Sequence, residues 1–257
     1  MLRVILNRVK KHYCINLKYS KGIIMITTVN RPPENAKFVL DNNQGWIALI
    51  DRMGEEIKAV NAARVSFGKY KTEFDDKDAA LLNFLIDEQH FAPLEHITLT
   101  FLVHCPLFVR GQWHRHRTMS YNEVSRRYTE VDIELYTPEF YRTQSKDNKQ
   151  ASIDNDIIEY NEAAKMTMKQ ANEYALNTYN YLLSMGVCRE QARTVLPQNM
   201  MVTFYATVNM RNLLHFLGLR MESHAQKEIR EYANAIHDIL QPIYPNIIKA
   251  FDEGRIK

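Results

Sequence analysis

The chain holds only eight glycines in 257 residues, and no two of them stand closer than nine positions apart. That spacing excludes the glycine-rich turns with which doubly wound and P-loop folds bring backbone N–H groups up to a phosphate. Any nucleotide is therefore held by side chains, on a fold that does not depend on such a turn. The remaining composition allows one: 46% of residues are hydrophobic, which at this length can supply a real core. No apolar run exceeds about five residues, against the roughly 20 a membrane helix needs, and mean hydropathy is −0.39. No membrane association is expected. The three cysteines, Cys14, Cys105 and Cys188, form no CxxC pair and are odd in number. This argues against a disulfide framework or thiolate zinc site, and fits a reducing cytoplasm.

Periodicity sets the order of elements. Residues 44–53 (QGWIALIDRM) read as a strand and Glu55–Ser66 as a helix; Asp75–Gln89 reads as a second helix, with Leu81, Leu82, Leu85 and Ile86 on one face and acids in its first turn. Residues 95–104 alternate apolar Ile97, Leu99 and Phe101 with His96, Thr98 and Thr100, a strand with one buried face. Pro106 suits the first turn of a helix through PLFVRGQWHRH. From Ile157 through Tyr160, Ala164, Met168, Ala171, Ala175, Tyr179 and Leu182 the pattern is one long helix with these residues toward the core, ended by Gly186. A strand is expected over 201–208, then helices over 210–220 and 225–250. Strands and long helices mix without βαβ alternation, so the class is α/β in the α+β sense: a single mixed domain with a central antiparallel-type sheet flanked by long helices. Residues 41–257 are read as that domain. Residues 1–40 are read as a basic extension, since residues 1–24 carry six Lys and Arg and no acid.

The modest formal charge of +3 conceals a concentrated segment. Between Arg110 and Arg127 stand five arginines and one acid, Glu123, a net of 5 − 1 = +4. Trp113, Met119, Tyr121 and Val124 are interleaved with them, so a half-buried anion pocket fits better than a solvated face. Arginine's rigid fork suits phosphate and stays charged when partly desolvated. Gln112, Ser120, Asn122 and Ser125 add directional hydrogen bonds for a base or sugar. A metal reading of His104, His114 and His116 is disfavoured, because His116 sits between two arginines that repel a cation. Cys105 is read as a buried structural residue. Polymeric nucleic acid is disfavoured by the small net charge and short patch, leaving a mononucleotide as the better ligand, although an RNA-binding or nucleotide-binding module without catalysis remains an alternative.

Residues 115–125 (RHRTMSYNEVS) resemble the RHR-x7-Ser signature of the flavin-dependent thymidylate synthases. REQARTVLP, TVNMRNLLHFLGLR and SHAQKEI resemble later blocks of that family in the same order, so the resemblance runs over about residues 44–250. It implies reductive methylation of dUMP to dTMP, with 5,10-methylenetetrahydrofolate as carbon donor and NADPH as reductant through FAD. It further implies a homotetramer with sites at subunit interfaces and no enzymic cysteine nucleophile. Arg220 in LGLR matches the family arginine that polarises the uracil; without the resemblance it reads as a cation at a helix C-terminus. The dUMP positions implied are Gln112, Arg115, Glu123, Val124, Ser125, Arg126, Arg127, Arg193 and Arg220. For FAD they are His90, Ala92, Arg115, His116, Arg117 and Glu123, with Asn209, Met210, Arg211 and His215. Two departures stand out: Ala92 where the family often has a hydroxyl, and Arg126 where many members have a small residue. A further flavin oxidoreductase on the same scaffold would keep the FAD residues but tolerate loss of Arg220.

Overall fold

The computed structural model describes residues 15–20, 23–129, 133–146 and 152–254. Residues 1–14 of the basic extension, with Cys14, lie outside them. The order is β1 (Ile15–Ser20), β2 (Ile23–Thr28), β3 (Lys37–Val39), β4 (Gly45–Met53), α1 (Glu56–Arg64), α2 (Asp76–Asp87), β5 (Thr98–Pro106), α3 (Leu107–Trp113) and β6 (Ser120–Glu123). Then follow β7 (Arg142–Gln144), β8 (Ser152–Ile157), α4 (Asn161–Ser184), α5 (Arg189–Ala192), β9 (Met201–Asn209), α6 (Met210–Arg220), α7 (Lys227–Leu240) and α8 (Pro245–Asp252). The main sheet is antiparallel, in the order β3-β4-β5-β9-β6, while β1 pairs with β2 and β7 with β8. The sheet thus takes in Lys37–Val39, within the segment read as an extension.

β5 is the central strand because it can be buried on both sides. Leu99, Phe101, Val103 and Cys105 point into the helix-covered core and are almost wholly excluded from solvent. The alternate residues Leu102 and His104 are buried as well, with the Trp46 ring stacked on His104 at 5.4 Å. The expectation of one buried face therefore holds only to Thr100: an alternating pattern cannot announce that His104 finds partners inside, here Thr203 Oγ1 at 2.8 Å and Glu134 Oε2 at 3.2 Å. The strand also begins at Thr98, because Ala92–His96 form a 3₁₀ turn around Pro93. α7 lies on the core face with Ile229, Tyr232, Ala233, Ile236 and Leu240 inward. Its Tyr232 hydroxyl donates to the His104 carbonyl at 2.5 Å. A Cβ on Gly45 would meet that hydroxyl at 2.0 Å, so the close approach of α7 to β4 requires glycine there.

Three helical expectations change. The helix after Pro106 stops at Trp113, leaving His114, Arg115 and His116 in the turn that follows. The last helix is two: α7 ends at Leu240, and α8 restarts with Pro245 in its first turn. Buried Glu56 accepts from the N–H groups of Asn246 and Ile247 at 2.8 and 2.9 Å, satisfying donors that a helix start leaves open. The long helix begins only at Asn161, with Ile157 in β8, and Gly186 at φ 86° ends it as expected. Of the face read as core, Tyr179 is buried and Ala164, Met168, Ala175 and Leu182 are half-buried, while Ala171 is exposed; Met166, Tyr174 and Tyr181 lie off that face and are exposed. A 3.6-residue period reports an amphipathic face but not which molecule covers it.

Candidate active site around the arginine turn

The segment 114–119 is a tight connection between α3 and edge strand β6, pinned from inside. Trp113 is 1% exposed, packed edge-on against Phe204 and Tyr232; the indole is a core anchor and unavailable to stack on a ligand. The Tyr121 hydroxyl reaches the carbonyls of Trp113 at 3.0 Å and His116 at 2.9 Å, closing the turn. His114 stacks on Tyr121 with ring centroids 4.1 Å apart. Burial, reinforced by the charge of Arg110, pushes its pKa down to about 4. Buried His116 lies between the exposed Arg115 and Arg117, so the alternation turns two guanidinium groups to solvent and one imidazole inward.

That imidazole holds the candidate catalytic arginine. Arg220, the last residue of α6, is half-buried, and burial lowers its pKa. Its Nε donates to His116 Nε2 at 3.0 Å and its Nη2 to the Gln112 carbonyl at 3.3 Å. Guanidinium can only donate, so His116 must present a lone pair at Nε2 and be neutral. Its environment enforces this: burial, then the charges of Arg220 and His215, push its pKa down to about 4. His215 is exposed, its ring 6.4 Å from that of His116.

The other expected residues gather in two further groups. At the first, Arg110 Nε donates to Glu123 Oε2 at 2.5 Å, and Val124 is fixed through its N–H to the Thr203 carbonyl at 2.9 Å. Ser125 opens a turn in which its Oγ accepts from Arg127 N at 3.3 Å. Exposed Arg127 pairs with Glu190 on α5 at 2.8 Å, one turn before exposed Arg193. Arg126, expected to add charge beside a phosphate, is instead only 7% exposed, its charge acting on Glu134. At the second, exposed His90 and Ala92 line a pocket of about 580 Å³ together with Phe67, Phe84 and Arg64. Arg211 pairs nearby with Glu95 at 2.5 Å. Asn209 caps α6 by accepting from Asn212 N at 2.9 Å, and Met210 is fully buried with its N–H on the Ile97 carbonyl.

Several residues at these sites were not singled out in the sequence. Arg64 Nη1 is buried without a hydrogen-bond partner among the described residues, beside the His90 pocket; it reads as an ordinary helix residue of AARVS. Gln226 and Glu228 connect to Gln112 through side-chain hydrogen bonds. The SHAQKEI block containing them carried a family signal but no chemical one.

Residues 48–246 match the family model described as thymidylate synthase complementing protein. The chain is 43% identical over 210 residues to a flavin-dependent thymidylate synthase of Thermosipho africanus, covering 81% of this chain and 91% of that protein. It is 43% identical over 215 residues to one of Thermus thermophilus, covering 84% and 77%. Among solved structures, the UMP/dUMP methylase PolB of Streptomyces cacaoi bound with 5-Br dUMP superposes with a TM-score of 0.75 at 32% identity, covering 82% of this chain and 96% of that one. A family match over most of the chain, supported by relatives matched over most of their own length and a shared fold, makes this protein an enzyme of the flavin-dependent thymidylate synthase family.

Proposed function

We propose that the enzyme methylates dUMP at C5 to give dTMP, with 5,10-methylenetetrahydrofolate as carbon donor, NADPH as reductant and FAD between them. The observation that carries this is Arg220: a half-buried guanidinium fixed by a neutral imidazole and a backbone carbonyl. The uracil must become nucleophilic at C5, which places negative charge on its N3–C4=O edge. A cation already oriented for that charge stabilises it without reorganising in the transition state. Across the reaction dUMP, methylenetetrahydrofolate, NADPH and a proton become dTMP, tetrahydrofolate and NADP⁺, the uracil C5 hydrogen leaving as a proton.

The residues present fit FAD. Exposed Arg115 and Arg117 offer paired forks for a diphosphate, and Arg64 Nη1 beside the His90 pocket has no acceptor among the described residues. When bound, FAD supplies the hydride drawn from NADPH. For dUMP, Ser125, Arg127 and Arg193 offer the phosphate donors, and Gln112 the sugar or base contact. Cys105 fits no nucleophilic role: it is fully buried, and burial pushes its thiol pKa well up. The homotetramer is supported by two features. The implied FAD and dUMP residues are spread over several elements of one chain, and α4 turns Met166, Tyr174 and Tyr181 outward.

The purified protein is expected to be yellow, or to become so with FAD, and dUMP is expected to perturb the flavin absorption. A protein that stays colourless with added FAD contradicts the proposal.

A further inference from the structure

Four side chains run in line from the interior to Gln112. Arg142 Nη2 donates to Glu228 Oε1 at 2.8 Å, and Glu228 Oε2 accepts from Gln226 Nε2 at 2.8 Å. Gln226 Oε1 in turn accepts from Gln112 Nε2. Glu228 is 4% exposed and its carboxylate pairs with Arg142, whose Nε also donates to Ser152 Oγ of β8 at 2.8 Å.

The direction of this line is dictated by chemistry. An amide can exchange its oxygen and nitrogen by half a turn, but guanidinium only donates and carboxylate only accepts. Glu228 therefore requires the NH₂ of Gln226, which leaves Gln226 an oxygen to offer Gln112. Gln112 must answer with its own NH₂ and keep its Oε1 for whatever lies beyond.

We propose that Arg142, Glu228 and Gln226 are positioning residues that set the polarity of Gln112, so that its Oε1 faces the nucleotide and selects a hydrogen-bond donor there, a sugar hydroxyl or a ring N–H. This rests on Gln112 being a nucleotide contact, as proposed above. The charge on Arg142 is thus read out several residues away as the choice between acceptor and donor.

The test reverses the line and then restores it. In Glu228→Gln, Arg142 takes the introduced carbonyl, the introduced NH₂ faces Gln226, both glutamines turn over, and Gln112 presents a donor to a donor. Affinity of the FAD-loaded enzyme for dUMP, followed by flavin fluorescence, is expected to fall about tenfold or more. Adding Gln112→Glu returns an outward oxygen, and the double variant is expected to recover to within about threefold of wild type, because only one hydrogen-bond direction has been changed and changed back. If the buried substitution costs FAD content or melting temperature, Gln226→Lys at its exposed position donates to both neighbours and reverses Gln112 without touching the buried pair; it is expected to weaken dUMP likewise. Comparing dUMP with its 3′-deoxy and N3-methyl analogues identifies the donor as the one whose removal abolishes the wild-type advantage over Glu228→Gln. Unchanged dUMP affinity in Glu228→Gln, or a double variant no better than the single, overturns the inference. Failure of the wild type to bind dUMP overturns instead the substrate reading on which it stands.

Discussion

Arg220→Ala is expected to lower dUMP turnover by about a hundred- to a thousandfold, the scale of losing one preorganised charge donor, while FAD content stays at the wild-type level. The separation follows from where Arg220 sits. Among the described residues its guanidinium hydrogen-bonds to His116 and the Gln112 carbonyl and pairs with no carboxylate. Most of the loss should appear in kcat, because charge on the uracil edge develops during reaction. Lysine is expected to restore little, since a single ammonium cannot keep both the imidazole and the carbonyl while facing the substrate. A non-thymidylate oxidoreductase on this scaffold would keep its flavin turnover in Arg220→Ala. His116 carries a related expectation: protonation near pH 4 removes the lone pair that receives Arg220, so turnover should decline as pH falls toward that value. Steady-state kinetics with flavin quantified spectroscopically checks each point.

Asp78→Asn is expected to destabilise the protein by about 3 kcal/mol or more, read as a lower midpoint in denaturant. The Asp78 side chain is wholly buried, accepts from Lys71 Nζ at 2.6 Å and Asp75 N at 2.9 Å, and pairs with Arg64. Asparagine leaves the half-buried Arg64 without its counter-charge, beside the very pocket that His90 lines. Burial alone would raise the Asp78 pKa, but Lys71, the Asp75 backbone contact and Arg64 outweigh it and hold the pKa below the ordinary 3.8. A carboxylate depressed on folding contributes stability that is complete above its unfolded pKa and is lost as pH falls below that value. Wild type should therefore lose this increment below about pH 4, and Asp78→Asn should show a flatter acid limb. Equal midpoints for the two proteins at neutral pH would contradict the assignment.

What could be read from the residues, and what could not, divides along physical lines. β4, β5, β9 and α6 were legible because their periodicity is dictated by burial within one chain. The arginine cluster at 110–127 was legible as partly buried charge because it is interleaved with apolar residues, but that Arg110, Arg126 and Arg127 act on Glu123, Glu134 and Glu190 was not. The break between α7 and α8 was obscured because the apolar period continues across Pro242, and proline can sit in a first helical turn as well as end a helix. The depth to which α4 is buried was illegible for another reason: Met168, Ala175 and Leu182 carry the same apolar signal whether they end fully buried or half-buried. That Arg115 and Arg117 face solvent is visible only in the fold, and so are the separate roles of their neighbours. His116 as an acceptor for Arg220, Trp113 as a core anchor and Arg126 as a buried charge are set by contacts with residues up to about a hundred positions away. The Gln226–Glu228 line is likewise invisible without a partner in β7.

The most direct test of the account is tritium release from 5-tritiated dUMP by the FAD-loaded enzyme. Tritium is expected in water only when NADPH and methylenetetrahydrofolate are both present, with dTMP formed in equal amount and Arg220→Ala reduced to near background. Wild-type enzyme that binds FAD and dUMP but forms no dTMP with both co-substrates would contradict it.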